Sequence, residues 1–384
     1  MPSCRIPFNR PTVAGNELQY IARAIESGHT AACGPFTEAC TRSLENLIGA
    51  PRVLLTTSCT HALEMCAFLL DLQPGDEVIV PSFAFVSTAA AFASRGATLV
   101  FVDVRPDTLN LDEQQVERRI TPRTRAILAL HYAGVACEMH ELLRLGEKYG
   151  IAVVEDAAHG PFGSYRGRQL GTFGVLATLS FHETKNLTSG EGGALIINDL
   201  RLEDRARIIH RMGTDRHRFN LGMVDRYTWV DHGSSYAPAD LVAAYLLAQL
   251  ESRESIQQRR RRIWERYHRE LADWAAAMNV RVPCVPAHCE QSFHMYYLVL
   301  PAAGVRRRFI GFLASRGIMA AFHYQPLHAS RMGRLHGRVP NDCPVAGQLG
   351  SCLVRLPFYC DLSAQDQSEV IGAIQQFDCG RGAD

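Results

Sequence analysis

The sequence predicts an α/β fold: a mostly parallel central sheet with helices on both faces, and a smaller α+β domain at the C-terminal end. Three observations predict it. Between residues 51 and 197, short apolar runs that read as buried strands alternate with stretches of helical length, the spacing of βαβ units. Several of these runs end in polar or charged residues, where open parallel sheets gather their ligands. Beyond a strongly basic helix, Gln257 to Arg269, the elements become shorter and mixed, which divides the chain into a large domain, 1–250, and a small one, 251–384.

Taken in order, an irregular Pro- and Gly-bearing segment comes first. A helix from Asn16 to Ser27 follows, with Leu18, Ile21, Ala22 and Ile25 as its apolar stripe, Asn16 as N-cap and Gly28 as stop. Gly34 and Pro35 break the chain before a second helix, Thr37 to Ile48. Val53 to Thr56 reads as a strand, and Ser58-Cys59-Thr60 turns into a helix from His61 to Leu72, ended by Pro74-Gly75. Next come a strand (Glu77 to Pro81), a helix (Ser87 to Ser94), a strand (Thr98 to Val102), a helix (Asp112 to Ile120), a strand (Ala126 to His131) and a helix (His140 to Tyr149). Ile151 to Val154 is a strand ending in Glu155-Asp156. Val175 to Phe181 is another, followed by a glycine-rich turn and the run Ala194 to Ile197. A polar helix (Asp204 to Arg211) and an aromatic loop (Phe219 to Tyr236) lead to a long helix from about Asp240, which the basic helix continues. The small domain holds strands at Met295 to Leu300 and Met319 to Phe322, and helices at Arg306 to Ser315 and Asp366 to Phe377.

Forty basic residues balance 39 acidic ones, so no global field draws the protein to nucleic acid or an anionic membrane. The run Arg259 to Arg262 spreads over all faces of a helix and forms no groove-reading stripe. No segment has the length and apolarity of a membrane span, and Met1 to Arg10 lacks the apolar core of a signal peptide, so the expected location is the cytoplasm. Twelve cysteines stand without a C-x-x-C pair, and Cys137 with His140 has no second pair at zinc spacing. Neither disulfides nor a metal site is expected.

The chemistry centres on Lys185, in Ser180-Phe181-His182-Glu183-Thr184-Lys185-Asn186, before Ser189-Gly190-Glu191-Gly192-Gly193. Asp156 stands at the end of the preceding parallel strand, so both side chains face one crevice. An amine and a carboxylate so placed suit pyridoxal phosphate: the lysine forms the Schiff base, and the acid keeps the pyridine nitrogen protonated so that the ring draws in electrons. Ser58-Cys59-Thr60, at a helix start, offers hydroxyls, backbone N–H groups and the positive end of a helix dipole to a phosphate. The same turn reads equally as a simple helix cap. Neither G-x-x-x-x-G-K-[ST] nor G-x-G-x-x-G occurs, which argues against a nucleoside triphosphatase or a nicotinamide enzyme.

These segments resemble the DegT/StrS-like sugar aminotransferases. In order, they are Thr57-Ser58-Cys59-Thr60-His61-Ala62-Leu63-Glu64, Pro81-Ser82-Phe83-Ala84-Phe85-Val86-Ser87-Thr88, Glu155-Asp156-Ala157-Ala158-His159, the Lys185 stretch, and His323-Tyr324-Gln325-Pro326-Leu327-His328. The resemblance runs over nearly the whole chain and implies the fold type I of pyridoxal phosphate enzymes. It implies that Lys185 holds the cofactor and shuttles a proton, Asp156 pairs with the ring nitrogen, His159 approaches the ring hydroxyl and Phe85 stacks on the ring. Ser58, Cys59, Thr60 and Ser180 bind the phosphate in this reading.

It further implies a homodimer with shared active sites, in which Ser235 reaches the partner's phosphate where relatives carry Asn. His159 stands where many relatives have Gln, which introduces an ionisable group. Arg211, His323, Tyr324 and His328 are candidates for the sugar nucleotide. Arg355 reads either as a clamp for the carboxylate of the amino donor or as one half of a structural ion pair.

A narrower similarity lies in Phe101 to Thr108, His131 to Met139, and Tyr227-Thr228-Trp229 with Gly233-Ser234-Ser235-Tyr236. It implies transfer of an amine from L-glutamate to TDP-4-oxo-6-deoxy-D-glucose. The products would be 2-oxoglutarate and TDP-4-amino-4,6-dideoxy-D-galactose, a building block for a polysaccharide antigen. The alternatives are the gluco epimer, another nucleotide-ketosugar, or a sugar-nucleotide-binding homologue without catalysis. A sugar dehydratase of the same fold carries His in place of the lysine, so Lys185 argues against it.

Overall fold

The computed structural model describes residues 4–338 and 343–380. Its strands are β1 (Val53–Thr56), β2 (Glu77–Pro81), β3 (Thr98–Val102), β4 (Thr124–Leu130), β5 (Ala152–Asp156), β6 (Ser164–Tyr165), β7 (Arg168–Gln169), β8 (Leu176–Ser180), β9 (Gly193–Ile197), β10 (Cys289–Glu290), β11 (Tyr297–Val299), β12 (Ala321–Phe322), β13 (Gly337–Arg338) and β14 (Leu353–Arg355). Eight of them form one sheet in the order β1-β9-β8-β5-β4-β2-β3-β13. From β8 to β13 the pairings are parallel, and β9 runs antiparallel to both of its neighbours. Apart from the exposed Arg125 near the start of β4, the central strands are buried, as apolar runs covered by helices on both faces must be.

β11, β14 and β12 make a second, antiparallel sheet. It packs with Trp264, Tyr267, Phe309, Leu313, Val370 and Ile374 into a core of its own. Two short segments cross the division expected at residue 250. Ile6 belongs to this second core, bridged to Ile318, while β13 adds to the edge of the main sheet beside β3. Among the described residues no helix is long and apolar enough to cross a membrane, and no disulfide joins any of the twelve cysteines.

Two local expectations are corrected. The first helix, Glu17–Glu26, points its apolar stripe outward: Leu18 is 80% and Ile25 59% exposed. It buries Glu17 and Ala24 instead, because the Glu17 carboxylate accepts from the Ala14 and Gly15 N–H groups and from Gln249, so the polar side of the helix is the one anchored. Asn16 makes no side-chain cap. The basic helix is not a continuation of the preceding one either. Asp240–Glu251 and Arg253–Glu270 meet at Ser252, and Arg260 points inward to donate to the carbonyls of Phe293 and His294.

Candidate active site

Because β4, β5 and β8 are adjacent and parallel, their carboxyl ends bring Leu130, Asp156 and Ser180 to one edge. The loop after β8 returns Lys185 to that edge. A cleft of about 460 Å³ opens there, lined by Lys185, Asp156, His159, Ser180, Phe85 and the Ser58–Thr60 turn, with His294, His323, Tyr324 and Arg355 closing its far side. The ends of the main-sheet strands and the turns that follow them supply the first set, and segments between residues 294 and 355 the second.

Asp156 is buried, and both carboxylate oxygens are tethered. Thr88 Oγ1 donates to one at 2.7 Å and the Ala158 N–H to the other at 3.1 Å. Burial pushes the Lys185 amine down to about 8; Cys59 and Asp156 oppose the shift and Arg355 adds to it. A neutral amine is therefore accessible near physiological pH, the condition for nucleophilic attack and for proton relay.

His159 does not titrate there as its ionisable character suggested. Burial, reinforced by Lys185 and Arg355, holds it well below the usual imidazole range. Its Nδ1 accepts from the Ala133 N–H at 3.3 Å, so the neutral ring carries its proton on Nε2. Its ring stacks on His294 at 4.3 Å, and His294 Nδ1 is bonded to Asn186 Oδ1 at 2.9 Å.

Ser58 caps the helix Cys59–Leu69, accepting from the His61 N–H at 3.1 Å, and Thr60 Oγ1 bonds Ser87 Oγ at 2.8 Å. Gly193 lies between Thr56 of β1 and Ser180 of β8. A Cβ on Gly193 would fall on the Cys59 nitrogen and the Ser58 carbonyl carbon, so only glycine lets the helix start sit against the sheet. This turn, backed by the helix dipole and with Ser180 beside it, fits a phosphate. Gly193→Ala should push the turn off the sheet and weaken pyridoxal phosphate binding at least tenfold, since backbone cannot yield as a side-chain tip can. Equilibrium titration of cofactor-free protein checks this, and unchanged affinity would contradict the cradle.

Of the residues singled out in the sequence, Ser58, Cys59, Thr60, Phe85, Asp156, His159, Ser180, Lys185, His323, Tyr324 and Arg355 line the one cleft. Three do not. Arg211 and Ser235 bridge each other and Arg211 lines a separate groove, while His328 Nδ1 bonds the Ser82 hydroxyl behind the cleft. Within one chain they do not meet Lys185. The ion-pair reading of Arg355 also fails: among the described residues no carboxylate pairs with it, and its NH1 donates to His323 Nε2 at 3.2 Å. Thr88, His294 and Asn186 went unassigned. Thr88 stood inside a recognised segment, and His294 interrupts an apolar run just before Met295, the one local sign that it is more than core.

The donor set suits pyridoxal phosphate at every point the cofactor requires: an amine, a fixed carboxylate, a neutral N–H donor and a phosphate cradle. That arrangement on this sheet defines the class, a pyridoxal phosphate enzyme of fold type I. Residues 11–375 match the DegT/DnrJ/EryC1/StrS aminotransferase family, and the chain belongs to it. It is thereby a pyridoxal-phosphate-dependent aminotransferase. Similar solved structures include the aminotransferase TlmJ of Streptoalloteichus hindustanus (31% identity, 96% of this chain and 98% of that one, TM-score 0.88). The sugar aminotransferase Spr1654 of Streptococcus pneumoniae, described as putative and in its PMP form, aligns at 27% identity (97% and 98%, TM-score 0.89). A family member from Brucella abortus aligns at 29% (94% and 94%, TM-score 0.84).

Proposed function

We propose that the chain transfers the amine of L-glutamate to the C4 ketone of TDP-4-oxo-6-deoxy-D-glucose, releasing 2-oxoglutarate and TDP-4-amino-4,6-dideoxy-D-galactose. One observation carries the chemistry: an amine lowered to about 8 opens on the same cleft as a doubly tethered carboxylate. Bound pyridoxal phosphate supplies the electron sink. Lys185 would hold it, and its Nζ, once free and neutral, would pass the proton of the donor's amine-bearing carbon to the bound group and, in the second half-reaction, pass a proton the opposite way onto the ketosugar carbon that receives the amine. Asp156 pairs with the ring nitrogen, and the Nε2–H of His159 donates to the ring hydroxyl oxygen. Phe85, half exposed at the cleft, covers one ring face. The Ser58–Thr60 turn and Ser180 take the phosphate.

The sugar nucleotide rests on thinner support: the three narrower sequence segments, and His323 and Tyr324 standing in the cleft. Sharing of sites between two copies is supported by the apolar surface of the loop after residue 211, where Leu221, Met223 and Trp229 are 72%, 66% and 79% exposed, and by the outward stripe of the first helix. A second copy would bring Arg211 and Ser235, unused in their own chain's cleft, to the neighbouring one. Incubating the loaded protein with glutamate and TDP-4-oxo-6-deoxyglucose should yield the galacto amine by NMR, from a species of twice 42.6 kDa by light scattering. The gluco epimer would overturn the stereochemistry, no amino sugar the substrate, and a monomeric active species the shared site.

A further inference from the structure

The geometry points to His294 as a positioning residue for His159: packed flat on that imidazole, it holds the plane in which the Nε2–H meets the cofactor's ring hydroxyl. The inference rests on the role given to His159 above. His159 needs such support. Among the described residues its side chain has one hydrogen bond, from the Ala133 N–H, and at 3.3 Å that bond is longer than the usual range and leaves the ring free to tilt. Against its face lies His294, with ring centres 4.3 Å apart and planes within 17°. Tyr132 adds only an edge-on contact at 6.0 Å.

The backbone is bent out of its ordinary conformation to put His294 there. Phe293, the residue before it, has a φ of +51°, a left-handed conformation unfavourable for a bulky side chain. Such a residue persists where its surroundings over-determine it, and here three consecutive carbonyls are taken. Ser292 O accepts from Asn186 Nδ2 at 2.6 Å and from Gln257 Nε2 at 2.8 Å, while Arg260 donates to the carbonyls of Phe293 and His294. The Ser292 hydroxyl donates to the backbone carbonyl of His159 itself. Ala133, whose N–H holds His159 Nδ1, also has a positive φ, 55°. Left-handed backbone thus stands behind both partners of one imidazole.

The ring of His294 is fixed as firmly as its backbone. Asn186 Nδ2 donates to a carbonyl, which can only accept, so Asn186 Oδ1 is the atom 2.9 Å from His294 Nδ1, and that nitrogen carries the proton. Burial, reinforced by His159 and Lys185, holds His294 well below the usual imidazole range, so the two stacked rings are both neutral and do not repel. A site that needed only bulk would use an apolar ring and avoid the desolvation of a buried imidazole and carboxamide. Asn186 follows Lys185 in the chain, so the network that sets the plane of His159 also anchors the end of the lysine loop.

Titration of cofactor-free protein with pyridoxal phosphate, together with visible circular dichroism of the loaded form, tests the assignment. His159→Ala should raise Kd about fivefold, the contribution of one neutral hydrogen bond, and alter the dichroism of the bound cofactor. His294→Leu and His294→Gln both remove the ring and should reproduce both changes; either one that folds answers the question. His294→Phe keeps a flat ring and should stay within about twofold of wild type with its dichroism retained. Added to His159→Ala, His294→Leu or His294→Gln should cost less than about a further twofold, since the group it orients is gone. Wild-type readouts in the leucine and glutamine variants, or full multiplication with His159→Ala, would overturn the assignment. So would a phenylalanine variant as weak as the other two, because the Asn186 bond and not the stack would then carry the effect. If His159→Ala itself moves neither readout, the role of His159 fails, and this inference with it.

Discussion

Lys185→Ala should abolish multiple turnover, a loss of about 10⁴-fold or more, because one side chain both holds the cofactor and moves the proton. The variant should purify without the yellow of covalently held cofactor. Lys185→Arg should be equally inactive, since a guanidinium stays protonated at every accessible pH. The lowered amine adds a pH signature. At a value of about 8, about half the side chain is neutral at pH 8, against roughly 0.3% at the ordinary lysine value. Loading of cofactor-free wild type should therefore accelerate as pH rises, with its midpoint near 8. A midpoint near the ordinary lysine value, or retained turnover in the alanine variant, would contradict the site.

The pairing of Lys185 with Asp156 was legible because it follows from topology: β5 and β8 are parallel neighbours, and polar residues at the ends of apolar runs fall on one edge. β1, β2 and β3 begin and end where their apolar runs do, for the same reason. What escaped depends on contacts between residues far apart in the chain. Thr88 reaches Asp156 across 68 positions, and His294 meets Asn186 across 108. The stripe of the first helix has a sound helical period, yet periodicity says only that a face is apolar, not which neighbour covers it. The neutrality of His159 and the lack of a carboxylate beside Arg355 among the described residues are statements about enclosure, and no residue spacing encodes them.

Asp156→Asn should lower kcat by about 10² to 10⁴-fold while leaving the cofactor bound, since amide and carboxylate have the same shape and the phosphate and Lys185 still hold it. The amide cannot keep a pyridine nitrogen protonated, so the loss falls on proton removal from the substrate carbon, and a deuterium effect at that carbon should grow. Thr88→Val separates charge from position. The charge remains, but one of two tethers is lost, the 2.7 Å bond to Oδ2, and a hydrogen bond to a charged group contributes about 1.5–3 kcal/mol. Its upper bound is therefore about 100-fold, and the Ala158 N–H, still bonded to Oδ1, should keep it nearer tenfold. If Thr88 acts only by holding Asp156, adding Thr88→Val to Asp156→Asn should cost far less than it does alone, because the group it orients no longer bears the charge. Full additivity would show that Thr88 serves the fold apart from Asp156, and a Thr88→Val loss as large as that of Asp156→Asn would place the chemistry on the hydroxyl itself.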